Sequence, residues 1–232
     1  MTILRSKWNL LNIKVSISEL VEQLVVSSFK DDAPYGFEVI TFDNSQLVAR
    51  YHEEYEHIDS YFDPLGKEEI VRSVRYKFVN VRFRFLGDGK YLVQLENLPR
   101  TSISLFMNLK IALETDISVS DVKFDIESLL ETISTNEDVR QFKVKQASFS
   151  SIYLNEKSRA KLEITSTKNA LVEFRNSFDY KKYAIDKVKC DFRLNGESLY
   201  LELRRSGVIS HSKSLVDLLT LVIRNNLTKD KS

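Results

Sequence analysis

Val81-Arg82-Phe83-Arg84-Phe85-Leu86-Gly87 and Cys190-Asp191-Phe192-Arg193-Leu194-Asn195-Gly196 lie 109 positions apart and match. Each alternates apolar and polar residues with a period of two. That is the pattern of a strand with one face on a core and one in water. Each also runs into a turn, Gly87-Asp88-Gly89 in the first and Asn195-Gly196 in the second. Asn-Gly is a strong hairpin signal, because both central residues of the favoured turn need positive φ. The return strands carry Tyr91, Val93 and Leu95 in one case and Leu199, Leu201 and Leu203 in the other. One hairpin is thus expected in each half.

The same offset reappears further out. Val15–Leu24 aligns with Phe124–Ile133. In the first copy Ser16 and Glu19 form a capping-box pattern ahead of Ile17, Leu20, Val21 and Leu24. In the second, Asp125 can cap a helix carrying Ile126, Leu129, Leu130 and Ile133. Between helix and hairpin each half predicts further strands: Gly36–Phe42 with Gln46–Tyr51, and Gln141–Lys145 with Ser151–Leu154. Ala160–Thr165 adds a strand and Ala170–Phe174 a short helix. Each half closes on a helix. One follows Pro99 and carries Ile103, Phe106, Met107, Leu109 and Leu113. The other carries Leu215, Leu218, Leu219, Val222 and Ile223 ahead of a polar tail. The expected fold is α+β: two tandem pseudo-symmetric repeats of helix, antiparallel strands, helix. They span residues 1–115 and 116–232, packed tightly because no Gly/Pro-rich linker joins them. The motifs point to no particular family.

Composition bounds the partners. The 34 Lys+Arg nearly cancel the 33 Asp+Glu, so net charge makes no case for nucleic acid or membrane and only local patterning can. A single cysteine, Cys190, excludes an intramolecular disulfide framework. No stretch has the run of roughly 18 apolar residues that spans a bilayer, and Met1–Trp8 does not read as a signal peptide. A cytoplasmic protein without a membrane association is expected.

Motifs for catalysis are sparse. His52 and His57 superficially resemble a zinc-protease pair. They are five apart instead of four, and an odd spacing puts them on opposite faces of a strand. Cys190 takes an inward strand position, where a free cysteine packs as a small hydrophobe. Asp191, Glu202 and Arg204 roughly follow the acid, acid, lysine order of metal nucleases, with arginine where a proton-transferring lysine would stand. No phosphate-binding loop, dinucleotide turn or Gly-x-Ser-x-Gly elbow is present. No catalytic set, metal site or cofactor is expected.

The hairpins' outer faces are basic. Arg75, Lys77, Arg82 and Arg84 in the first, with Lys187, Lys189 and Arg193 in the second, are the expected contacts to a DNA or RNA backbone. Arg72, Lys90, Arg100, Lys181, Lys182, Arg204 and Arg205 flank them, with Tyr76, Tyr180, Tyr183 and Tyr200 nearby. The bland alternative is that exposed strand positions carry Lys and Arg for solubility and to blunt edges. The sequence therefore predicts a non-catalytic nucleic-acid-binding protein. The alternatives are a structural or adaptor subunit docking a protein partner through the acidic, aromatic segment Tyr51–Phe62, and a metal-dependent nuclease using Asp191 and Glu202; a homo-oligomer, with no surface assigned to it, is the other partner considered.

Overall fold

The computed structural model describes residues 2–30, 32–98, 101–155, 158–178 and 182–229. Pro99, Arg100, Tyr180, Lys181 and the last residues of the polar tail lie outside them. Strand makes up 52% and helix 24% of the described residues. The expected α+β repeat is therefore incorrect. The chain builds a mostly antiparallel sheet of eleven strands among the described residues, with five helices. The two matched segments do form a capped helix and a hairpin in each half. They sit among strands that carry no clean alternation and that the sequence reading passed over.

Those strands are β1 (Ile3–Asn12), the distal parts of β3 (Gln46–Phe62) and β4 (Glu68–Gly87), and β11 (Val208–Ser212). The expected pair Gln141–Lys145 and Ser151–Leu154 is one strand, β7 (Val139–Tyr153). The remaining strands are β2 (Tyr35–Phe42), β5 (Lys90–Glu96), β6 (Ser118–Asp121), β8 (Arg159–Thr165), β9 (Ala184–Leu194) and β10 (Glu197–Arg204). The helices are α1 (Ile17–Val26), α2 (Ile103–Leu113), α3 (Ile126–Ser134), α4 (Ala170–Ser177) and α5 (Val216–Lys229). Pairing runs β2-β3-β4-β5-β1-β11-β10-β9-β7-β8, with β6 on β1. The chain divides into two compact units: Asn9–Ser120, and Met1–Trp8 with Asp121–Ser232.

In the Asn9–Ser120 unit, Ser16 caps α1 with a complete capping box. Ile17, Leu20, Val21 and Leu24 face a core with Phe37, Leu47, Val81, Phe83, Tyr91, Val93 and Leu95. Burying four aliphatic side chains from one helix contributes on the order of 1.5–3 kcal/mol each. On α2 the buried stripe is Leu105, Phe106, Leu109, Ala112 and Leu113, so Ile103 and Met107 point outward, contrary to expectation. The Tyr91 hydroxyl donates to the Val15 carbonyl at 2.7 Å, pinning the entry to α1 onto β5. Gly36 sits under Phe29: a Cβ there would lie 2.2 Å from the Phe29 Cα.

In the second unit, Asp125 caps α3 through the Glu127 amide, and Ile126, Leu129, Leu130 and Ile133 are buried. The β9/β10 hairpin pairs Phe192 with Leu199, Cys190 with Leu201 and Val188 with Leu203, all buried. Its turn residues Asn195 and Gly196 have φ of 50° and 84°, as a type I′ turn requires. Phe149 and Phe174 stack at 3.8 Å, holding α4 on β7.

The Gly36 contact gives a stability prediction. Gly36→Ala forces backbone away from backbone and should cost about 2–3 kcal/mol. Gly66→Ala, at φ 81° in open space, should cost about 1 kcal/mol. Urea unfolding of the two variants measures the difference, and equal costs would mean Phe29 yields freely.

Candidate nucleic-acid interface

The faces of β9 follow from its parity. Val188, Cys190 and Phe192 point into the core, so Lys187, Lys189, Asp191 and Arg193 share the outer face. Tyr200, Glu202 and Arg204 of β10 and Lys143 of β7 lie on the same face, because directly paired residues point the same way. The three cations expected on β9 are therefore brought together in one row.

Two of them are already engaged. Lys187 pairs with Glu163 at 3.0 Å and Lys189 with Glu202 at 3.9 Å. Hydrogen bonds from Ser148 and Lys187 hold the Glu163 carboxyl below its usual range. Glu202 is nearly buried and also accepts from Arg204 Nε at 2.6 Å and the Tyr200 hydroxyl at 3.0 Å. Burial, reinforced by the Glu202 carboxylate, pushes the Tyr200 phenol up to about 12.

Arg193 differs. It forms no ion pair among the described residues, and its direct partner across the ladder is another cation, Arg140. Like charges directly opposite each other are unfavourable. Next to this pair β7 breaks register between Arg140 and Lys143, with Gln141 at φ 54°. The bulge opens a cleft of about 430 Å³ lined by Gln141, Lys143, Lys145, Asp191, Arg193 and Tyr200, with Ile3, Phe192, Ser198 and Leu199. Asp191 is the one carboxylate in that lining, and Lys145 meets it at 2.5 Å. The rim is a cationic surplus beside aromatic surface. Lys143 and Lys145 were visible in the sequence as the outward positions of Gln141–Lys145, but the bulge that turns them onto Arg193 has no signature there.

In the other unit the expected cations separate. The β3/β4 register is unbroken from Gln46–Arg84 to Phe62–Glu68. Arg75 and Lys77 therefore share parity with core residues Val79 and Val81, and Arg82 and Arg84 point the opposite way. Arg75 pairs with Asp59 at 3.2 Å. Lys77 meets Glu53 at 3.0 Å, inside a network where Glu53 also accepts from the Tyr51 hydroxyl and Ser104 Oγ, and Asn108 donates to Tyr51. Burial raises the Glu53 carboxyl, but these bonds outweigh it and the net direction is down. Lys77 thus helps fasten α2 to β3. Arg84 reaches Gln46 at 3.4 Å, and Arg82 is half-buried.

The other candidates resolve simply. His52 and His57 are on opposite faces of β3, bonded to Glu38 and Asp59. Burial pushes the Cys190 thiol far up, keeping it protonated and unreactive. Asp191 and Glu202 are held by Lys145 and by Arg204 with Lys189. No group of three His, Cys, Asp or Glu with the geometry of a metal site occurs among the described residues. Nor is any described helix long and apolar enough to cross a membrane.

One pair escaped the sequence reading. His211 Nε2 lies 3.0 Å from Ser6 Oγ, and its Nδ1 lies 2.9 Å from the Ser212 carbonyl oxygen. A carbonyl only accepts, so Nδ1 carries the proton and Nε2 accepts from the Ser6 hydroxyl. The arrangement is that of a serine and its base, but both residues are fully buried, so no substrate reaches them.

No protein-family profile matches the sequence, and no curated protein matches it. Among solved structures the chain is similar to DynU16, a protein in the dynemicin biosynthetic locus. The identity is 10% over 94% of this chain and 93% of that one, and the TM-score is 0.21. At that score the likeness carries no argument about fold or function.

His211 gives the pH prediction. Burial holds its imidazole below the ordinary 6.5, so below that pH the unfolded chain binds a proton that the folded chain refuses. Stability should fall as pH drops from 6.5 through the lower folded value. His211→Asn should flatten that fall. Urea unfolding at about pH 7.5 and about pH 5.5 reads it, and an unchanged slope would assign the acid sensitivity elsewhere.

Proposed function

We propose that this protein binds a nucleic-acid backbone, without catalysis, on the outer face of the second unit's sheet. The observation that carries this reading is the Arg193–Arg140 pair beside a cleft whose rim adds Lys143 and Lys145 against one carboxylate. A phosphate between these cations relieves a repulsion the free protein must bear, and binding releases counterions from the polyanion. Lys187 and Lys189 extend the row along β9. Alternate strand residues stand about 6.6 Å apart, giving an elongated track instead of a point site. Tyr200, on the outer face at the cleft, offers a ring on which an unpaired base can stack. Arg75 and Lys77, ion-paired and on the opposite parity from Arg82 and Arg84, are left out of the contact set.

Fluorescence anisotropy with labelled single- and double-stranded DNA and RNA, at two salt concentrations, tests the reading. Affinity should decline steeply with salt. Arg193→Glu combined with Lys143→Glu should weaken binding by at least about tenfold, roughly the loss of two phosphate contacts. Arg75→Glu should leave it unchanged. Absence of binding to all four probes at low salt would overturn the assignment. Equal loss in the Arg75 variant would move the surface to the other unit.

A further inference from the structure

The β3/β4 hairpin continues past the sheet that supports it. β2 pairs with β3 only as far as Tyr35–Glu53, and β5 pairs with β4 only from Asn80 onward. The Glu54 amide donates to the Pro34 carbonyl, and beyond it, from Tyr55 to Phe62 and from Glu68 to Val79, the two strands pair only with each other among the described residues. A two-stranded ribbon is at best marginally stable in water by itself.

The unbroken register sorts the ribbon's side chains onto two faces. One carries Tyr55, His57, Asp59 and Tyr61 opposite Arg75, Ser73, Val71 and Glu69. The other carries Ile58, Phe62, Ile70, Val74, Tyr76 and Phe78, with exposures from 49% at Phe78 to 71% at Phe62. All six are about half exposed or more, and apolar side chains gathered on one face in this way mark an interaction surface.

Charge on this face is segregated along its length. Arg84, Arg82 and Arg50 occupy the end nearest the sheet, where Glu38 pairs with Arg50, and Glu54, Glu56 and Glu68 the distal part, where Arg72 pairs with Glu56; Arg84 and Glu68, at the two ends, form no ion pair among the described residues. The face is therefore complementary to itself when reversed end for end. A twofold axis near Tyr76, midway between Arg84 and Glu68 on β4, sets each copy's Arg84 against the other's Glu68. It also sets each copy's Phe78 against the other's Val74. This is an isologous contact that closes at two copies.

We propose that the chain dimerises through this apolar ribbon face, a second copy covering Ile58, Val74, Tyr76 and Phe78 in antiparallel apposition. The inference is independent of the nucleic-acid surface, which lies on the other unit.

Sedimentation equilibrium of the full chain, from submicromolar to high micromolar concentration, tests it. The wild type should run at twice the chain mass at the upper end. Val74→Asp, at an exposed position, should weaken association at least tenfold while leaving the urea midpoint of the monomer within error. Arg84→Glu and Glu68→Arg should each weaken it, and the two together should restore it to within a few-fold. A wild type monomeric throughout would overturn the proposal and leave the face to a different protein. So would a dimer indifferent to all of these substitutions.

Discussion

In an unbroken antiparallel ladder, parity alone decides which side chains can act together. Between β3 and β4 no residue is inserted from the sheet to the hairpin turn. Val79, Val81 and Phe83 must enter the core, so Arg75 and Lys77 are carried to that side and Arg82 and Arg84 to the other. A single bulge at Asn80 would have merged all four into one patch. The strictness of this ladder also keeps Ile58, Ile70, Val74, Tyr76 and Phe78 on one face of the ribbon, because the period of two continues after the core that selected it has ended.

The other unit shows the opposite device. β7 slips register three times along its pairing with β9. Each slip leaves backbone that the ladder does not use and swings neighbouring side chains out of alternation. Where this happens beside Arg193 the result is a cleft with concentrated positive charge, and Gln141 holds the left-handed conformation that the bend requires. The two units thus carry different kinds of surface: a long regular apolar face on one, a local polar recess on the other.

Much of the local structure was legible. Ser16 with Glu19, Asp125, and Asn195-Gly196 each encode a feature through their own backbone chemistry, and all three appear where the sequence places them. Inward residues of both hairpins were readable for the same reason. The architecture was not. β1 and β11 have no clean alternation because each is buried on a pattern set by neighbours far away in sequence; Ser6 and His211 are fully buried polar residues that satisfy each other across 205 positions. The segment beyond Tyr51 reads in sequence only as acidic and aromatic, since its exposed isoleucines, valines and aromatics mimic no half-buried strand. Of the candidate site, the cations on β9 were legible from alternation, but their pairing with Lys143, Lys145 and Arg140 depended on bulges that leave no mark in composition.

The pairing of β1 with β11 has a consequence for how the protein is made. Ile3 to Lys7 take their partners from Ser212 back to Val208. At about 5–20 residues per second of synthesis, β1 leaves the ribosome on the order of ten seconds or more before β11 does. Throughout that interval Trp8, fully buried in the finished molecule, has no β11 alongside it. Closing so long a loop is slow, because its entropy is lost before any contact compensates. The nascent chain therefore carries a partly apolar strand whose β11 edge stays open while the residues between are made, the kind of segment that chaperones attending emerging chains bind.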